Sequence, residues 1–456
     1  MRPIGRVGVG LGLFSFGLGG CAMTGLVVEW LDPQPDSPAS ASWRFSPDAI
    51  LELESAAPVR FPQSRPLTCA PTRGQPQALV FGGGGAPSYN EIAIEKNVRY
   101  FQRTLKTLGI PASNASIYFA NGNDGAKTVR YIDPKTGKEQ FKAPEIQGVL
   151  GAATIANLDA ALATLQPKPK TVKSKTSQSQ TSKPQTPKPL FFYFTGHGNR
   201  NPDNIDNNSM IFWDEVDVSV QDFATRLDRL PVEQPVVTVM VQCYAGAFAN
   251  FIYQQGDRQR PVALQTRCGF FATIKQRPSV GCTPSVDEAD YEDYSSSFFA
   301  GLSGVDRVGK PVASADYDGD GRVSFSEAHG FAKVDERAED LPLSTAEAWL
   351  RDGFDGAAAT MDRPIAQLLA TARPEQAHVL KTFIQTFELD VNESFATNVD
   401  RLPLARQMGE WNQTRLTRLQ LELINIAAEQ AVRQRGDQAE LAVLDRLLKC
   451  ESGSWR

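Results

Sequence analysis

The sequence predicts an α/β protein, a three-layer sandwich around a mostly parallel sheet, followed by a helical C-terminal region. Three observations predict it. Short continuous apolar runs, such as 190–194 and 235–241, have the pattern of strands buried on both faces. Segments with helical spacing alternate with these runs. From about residue 331 onward the apolar periodicity is helical.

In chain order, residues 1–20 form a leader, considered below. Residues 21–76 are rich in Pro, Ser and Ala and read as a tether or irregular extension. Ala78, Leu79, Val80 and Phe81 form a short strand that runs into four glycines. Ile94, Val98, Phe101 and Leu105 share one face of a helix over 91–108, which Gly109 closes. Residues 116–120 are a second strand, and Thr154 can cap a helix reaching residue 165.

Residues 167–189 are Lys, Ser, Thr, Gln and Pro with almost no apolar side chain. Such a stretch cannot bury enough surface to offset its ordering entropy, so a flexible insert is expected. Strands follow at 190–194, 235–241 and 269–274, with helices at 218–230 and 294–302. The longest helix, 412–433, carries Leu416, Leu419, Leu423 and Ile426 on one stripe. The expected organisation is therefore an α/β domain over 77–330 and a helical region over 331–456.

The bulk properties agree. At 456 residues the chain exceeds one ordinary core. A hydrophobic fraction of 41% and a charged fraction of 22% are those of a globular protein. With a net charge of −5 and no basic face, the sequence offers nothing for nucleic acid to bind. Only His197, His329 and His378 can supply an imidazole.

Arg2 and Arg6 precede an uncharged apolar and Gly-rich run over 7–18, the layout of an export signal. It ends in Leu18-Gly19-Gly20-Cys21, which resembles the lipobox of bacterial lipoproteins. That resemblance implies lipidation of Cys21 and an anchor in the cell envelope, facing the periplasm or the outside; a plain secretory signal is the alternative. No later stretch is long and apolar enough to span a membrane. With Cys21 lipidated and Cys243 in a motif of its own, Cys69, Cys268, Cys282 and Cys450 remain, an even set for an oxidising compartment. Of the three pairings, Cys268 with Cys282 and Cys69 with Cys450 is the one expected.

Two segments carry the chemistry. Residues 191–198 read Phe-Phe-Tyr-Phe-Thr-Gly-His-Gly, and residues 239–246 read Val-Met-Val-Gln-Cys-Tyr-Ala-Gly. In each, a buried strand delivers one reactive side chain, His197 or Cys243, at its C-terminal end, where parallel sheets form their sites. A thiol at its ordinary pKa is only a small fraction thiolate near neutrality. A neighbouring imidazole can raise that fraction and protonate a leaving amine. The main-chain N–H groups of Gly198 and Cys243 are the expected donors to a tetrahedral oxyanion. Taken singly, each residue reads more simply as core Cys or turn His; together, in matching strand contexts, they read as a catalytic pair.

The two segments resemble the caspase-like cysteine peptidases, and the legumain-like branch most closely. His197 precedes Cys243 by roughly the 50 residues seen in caspases, and Phe271-Ala272-Thr273 is similar to a strand that follows the nucleophile in legumain-like proteins. The resemblance covers about 77–304. It implies a caspase-like sandwich, a thiol peptidase working through an acyl-enzyme, and peptide or protein substrates. Asn90 is placed to orient His197, as a loop residue does in that family. Departures are Tyr244 where legumain has an acidic residue, a loop over 82–91 without Arg, and Gln242-Cys243 in place of the caspase Gln-Ala-Cys.

Residues 316–327 match the twelve-residue loop of an EF-hand at each position. Asp316, Asp318, Asp320 and Glu327 would supply carboxylates to Ca2+, Arg322 its carbonyl, Ser324 a contact through water, and Gly321 the sharp turn. Pro311 argues against a long entering helix, so a loop with one exit helix from Phe325 is expected. His329, just beyond, is expected on the helix surface. An alternative to the peptidase reading is an inactive caspase-like scaffold that binds calcium in the envelope; a transpeptidase is another.

Overall fold

The computed structural model describes residues 67–166, 187–402 and 408–456. The expected signal at 1–20, the lipidated Cys21 and most of the extension and insert lie outside the described residues. Among those described, no helix is long and apolar enough to cross a membrane.

Five parallel strands form the body of the sheet. They are β1 (Gln77–Gly83), β2 (Ala115–Phe119), β6 (Leu190–Gly196), β10 (Val236–Met240) and β11 (Arg267–Phe271). The short β5 (Val149–Gly151) extends one edge in parallel, and β12 (Leu343–Ser344) closes the other antiparallel to β11. The spatial order is β12-β11-β10-β6-β1-β2-β5. Two small antiparallel units stand apart: β3 (Val129–Ile132) with β4 (Glu139–Lys142), and β7 (Gly198–Asn199) with β8 (Ser209–Phe212) and β9 (Val216–Ser219).

Both faces of the sheet are covered, which is why its strands read as continuous apolar runs; every residue of β6 and of β10 is buried. On one face Phe192, Phe194 and Met240 meet Leu158 of α2 (Ile155–Ala163) and Phe223 of α3 (Val220–Leu227). On the other, Phe191, Tyr193 and Val239 meet α1 (Ile92–Thr107), α4 (Tyr294–Ser303) and α5 (Phe325–Asp335). The predicted mostly parallel three-layer arrangement is therefore present, with helices following it.

Those helices form a second core. They are α6 (Thr345–Arg351), α7 (Ala357–Met361), α8 (Ile365–Leu369), α9 (Pro374–Phe387), α10 (Phe395–Arg401), α11 (Glu410–Arg435) and α12 (Gln438–Glu451). Leu416, Leu419, Leu423 and Ile426 of α11 pack with Leu380 and Phe383 of α9, as their stripe predicts. The expected domain boundary at residue 330 falls inside α5, whose Lys333 bonds Glu422 of α11.

The cysteine pairing differs from the expected one. Cys268 of β11 is bridged to Cys450 of α12, 182 residues away, while Cys69 and Cys243 are free thiols. Cys268 faces the helical layer from mid-strand, whereas Cys282 lies on a loop at the sheet's C-terminal edge, so the sequence-local pairing is not formed. Residues 67–76, expected as tether, are pinned to this region: Thr72 donates to the Cys450 carbonyl at 2.9 Å and Gly74 N–H to Ser454 at 2.8 Å.

Candidate active site

The order of the sheet reverses between β1 and β6: the chain runs outward from β1 to β2, then returns to place β6 on β1's other side. Crevices at such a switch point, outside the C-terminal strand ends, are where parallel sheets bind ligands. The loop after β1, the end of β6 and the end of β10 meet there. Gly83 pairs with Gly196, one residue before His197, and Met240 pairs with Phe194.

Close main-chain approach requires the glycines. A Cβ on Gly84 would sit 1.9 Å from the Tyr89 carbonyl oxygen, and one on Gly198 would sit 2.4 Å from that of Cys243. The second contact sets the main chain of Gly198 against the carbonyl of Cys243. Tyr244, directly after Cys243, has φ 60° and ψ 21°, a left-handed conformation that is costly for a non-glycine residue and concentrates at functional turns.

His197 is oriented by Glu91. Its Nε2 lies 2.9 Å from Glu91 Oε2, and Tyr89 meets its ring edge-on at 5.3 Å between centroids. The second Glu91 oxygen accepts from Arg130 at 2.7 Å, and Arg130 also reaches Glu139 at 3.0 Å. Burial alone raises the Glu91 pKa. The hydrogen bond and charge of His197, with Arg130 behind, outweigh it and hold the carboxyl below its ordinary range.

The sequence-based choice for this orienting role, Asn90, is corrected. Its Oδ1 accepts from Gly84 N–H at 3.0 Å and its Nδ2 donates to the Thr128 carbonyl at 3.2 Å, so it braces the loop instead of the imidazole. The missed residue is its neighbour. Glu91 is the N-cap residue of α1, with φ −67° and ψ 148°, so the helical periodicity of the sequence does not mark it.

Cys243 is only 4% exposed. Its Sγ exchanges hydrogen bonds with the Ser279 main chain, accepting from N–H at 3.4 Å and facing the carbonyl oxygen at 3.5 Å. Burial pushes the thiol up to about 11; the Ser279 hydrogen bond opposes this and the nearby Asp340 charge adds to it. Among the described residues no hydrogen bond joins Cys243 to His197. The strand ends bring the pair to one edge, but in this state each side chain is held by another partner.

Glu91, His197 and Cys282 place donor atoms within 4.8 Å of one another. Cys282 carries no free thiol, so no metal is assigned there. His329, expected on the surface, is 3% exposed: Nδ1 meets Tyr294 Oη at 2.6 Å and Nε2 meets Glu347 at 3.1 Å. It faces inward because α5 packs on the sheet with that side. His378 stacks on Tyr317 at 4.0 Å.

In the loop over 316–327, oxygens of Asp316, Asp318 and Asp320 lie within 4.8 Å of one another. Asp316 Oδ1 is buried with no hydrogen-bond partner. Glu327 turns back on the loop: Oε1 accepts from Tyr317 and Asp318 N–H at 2.8 and 3.1 Å, and Oε2 accepts from Ser324 N–H at 2.8 Å. Arg322 N–H donates to Asp320 at 2.9 Å. The three Asp oxygens that converge are hard donors of the kind a divalent cation takes, while the Glu327 carboxylate is engaged by the loop's own N–H groups. The exit helix begins at Phe325 as predicted, and no helix enters from the Pro311 side.

No family model matches the chain, and no curated protein matches its sequence. Among solved structures the chain is similar to caspase-1 from Spodoptera frugiperda, with a TM-score of 0.31 and 10% identity, over 64% of this chain and 93% of that one. A likeness of that size carries no weight for function, which rests on the site's own geometry.

Proposed function

We propose that the chain is a cysteine endopeptidase of the caspase/legumain type, with Cys243 as nucleophile and His197 as general acid and base. The observation that carries this reading is the delivery of both residues, at the ends of two adjacent parallel strands, to the switch point of the sheet, with a buried carboxylate on the imidazole. The Cys243 thiolate adds to the carbonyl carbon of a peptide. The main-chain N–H groups of Gly198 and Cys243 hold the oxyanion, and His197 protonates the departing amine. Water, activated by His197, then hydrolyses the thioester; an amine in its place would make the product of a transpeptidase. With Nε2 committed to Glu91, proton transfer falls to Nδ1.

The same reading includes Ca2+ in the loop of Asp316, Asp318, Asp320, Arg322, Ser324 and Glu327, where it would offset carboxylate repulsion and fix the entry to α5. Export and a lipid anchor at Cys21 complete it; both rest on the sequence alone. An inactive calcium-binding scaffold is the contrasting reading. Cys243→Ala and His197→Ala should each abolish cleavage of a peptide library that the wild-type chain cleaves, with both variants folded and only His197→Ala, which strips Glu91 of a partner, melting at a lower temperature. Cleavage at the wild-type rate by folded Cys243→Ala would remove the assignment.

A further inference from the structure

A sulfur nucleophile must come within about 3–3.5 Å of a substrate carbonyl carbon in line for attack. In this structure the space beside Cys243 Sγ is taken by the main chain of Ser279. Ser279 belongs to an irregular segment between β11 and α4, with neither helix nor strand over 276–282. Its inner side is sealed, while Val280 is 40% exposed, so the covering is one residue thick.

The segment is held down by specific bonds. Ser279 Oγ donates to Asp340 Oδ2 at 2.6 Å and Val280 N–H to Asp340 Oδ1 at 3.2 Å. On the near side, Tyr244 N–H donates to the Arg277 carbonyl at 2.9 Å. Asp340 is 1% exposed and is placed by Arg418 of α11, whose guanidinium donates to the Asp340 carbonyl at 2.7 Å and to the Glu336 carbonyl at 2.8 Å. Beside the nucleophile, the Gln242 carboxamide is fully buried with neither polar atom partnered. A buried amide left so is unfavourable, and water or a peptide entering at this edge would satisfy it.

We propose that residues 276–282 form an inhibitory strap over Cys243, latched by Asp340 and, through Arg418, governed by the C-terminal helices. The strap rests on the reading of Cys243 as a nucleophile that must be reached by peptide. While latched, the enzyme is closed to substrate; release of Ser279 and Val280 from Asp340 opens it.

The test separates the strap from the peptidase reading by using a reagent that needs an accessible thiolate but no catalysis, with rates taken over a range of pH so that a change in access is told from a change in thiol ionisation. Iodoacetamide labelling of Cys243 is followed by mass spectrometry on the full chain, for wild type, Ser279→Ala, Ser279→Thr and Asp340→Ala. Loss of a hydrogen bond to a carboxylate should speed labelling about tenfold or more in Ser279→Ala and Asp340→Ala, with Ser279→Thr, which keeps the hydroxyl, near wild type. If Asp340→Ala does not fold, Ser279→Ala against Ser279→Thr decides. Wild-type labelling rates in the folded variants would overturn the strap. Faster labelling without peptide cleavage would keep the strap and overturn the peptidase reading.

Discussion

Glu91 holds one nitrogen of His197 while Arg130 holds its other oxygen, so the imidazole has a fixed tautomer and direction. Glu91→Gln keeps a hydrogen-bonding side chain but removes the charge. Its kcat on a cleaved peptide should fall about tenfold or more with KM little changed; an unchanged kcat would mean that Glu91 does not act through His197. The same variant makes a stability prediction. The folded-state pKa of Glu91 is lowered, so its contribution is present above its unfolded value and is lost as pH falls through the depressed folded value. The gap in unfolding free energy between wild type and Glu91→Gln, about 1–3 kcal/mol, should therefore close as pH falls below the ordinary carboxylate range, as read by urea unfolding at several pH values. A gap constant across that range would remove the ion pair. His197 and Cys243 were legible because each ends a buried apolar run beside glycine. Glu91 was hidden because its role comes from a contact between residues 106 positions apart.

At the scale of elements, the long apolar runs were legible and the short ones were not. The strands β6 and β10 are buried on both faces, so their composition alone marks them. The hairpin of β8 and β9 was not expected. Residue 218, read as the start of a helix, lies in β9, and α3 begins only after Ser219, whose hydroxyl and Asp222 form a capping box. The pair β3 and β4 is short and half exposed, with β4 reading Glu-Gln-Phe-Lys, yet it brings Arg130 to Glu91. The loop over 316–327 and the helix that leaves it at Phe325 were legible from the spacing of Asp, Gly and Ser along the segment. Saturating calcium should raise the stability of the wild-type chain, by about 2.7 kcal/mol at a hundredfold excess over Kd. Asp316→Ala with Glu327→Ala should abolish that gain, while the lost Glu327 loop bonds lower the melting temperature in a chelator as a separate, calcium-independent effect. A melting temperature indifferent to calcium in the wild type would remove the site. Because Tyr317 of this loop stacks on His378 of α9, ordering the loop would also brace the helical region.

At the scale of the molecule, the helical region is wired into the sheet by two kinds of link. Buried polar contacts join α5 to α11 through Lys333 and Glu422, and the loop after α5 to α11 through Arg418. A covalent link, Cys268 to Cys450, ties β11 to α12. The layer order was legible in the sequence, because alternating strand and helix patterns allow few arrangements. Which cysteines pair was not, because that depends on how the last helices fold back across 182 residues of chain. Cys268→Ser should cost about 2–5 kcal/mol in urea unfolding, and a reductant should reproduce the loss in the wild type; no difference between oxidised and reduced chains would mean that the bridge contributes nothing. Beyond the bridge, Trp455 fills a cage of Phe101, Phe191 and Phe325 beneath the sheet. The consequence is one of timing. A chain emerging from its N-terminus exposes β1 and β6 long before residue 455 leaves the ribosome. The face of the sheet that Trp455 covers stays open until then, and the unfinished protein depends on its surroundings to keep those aromatic rings from other chains.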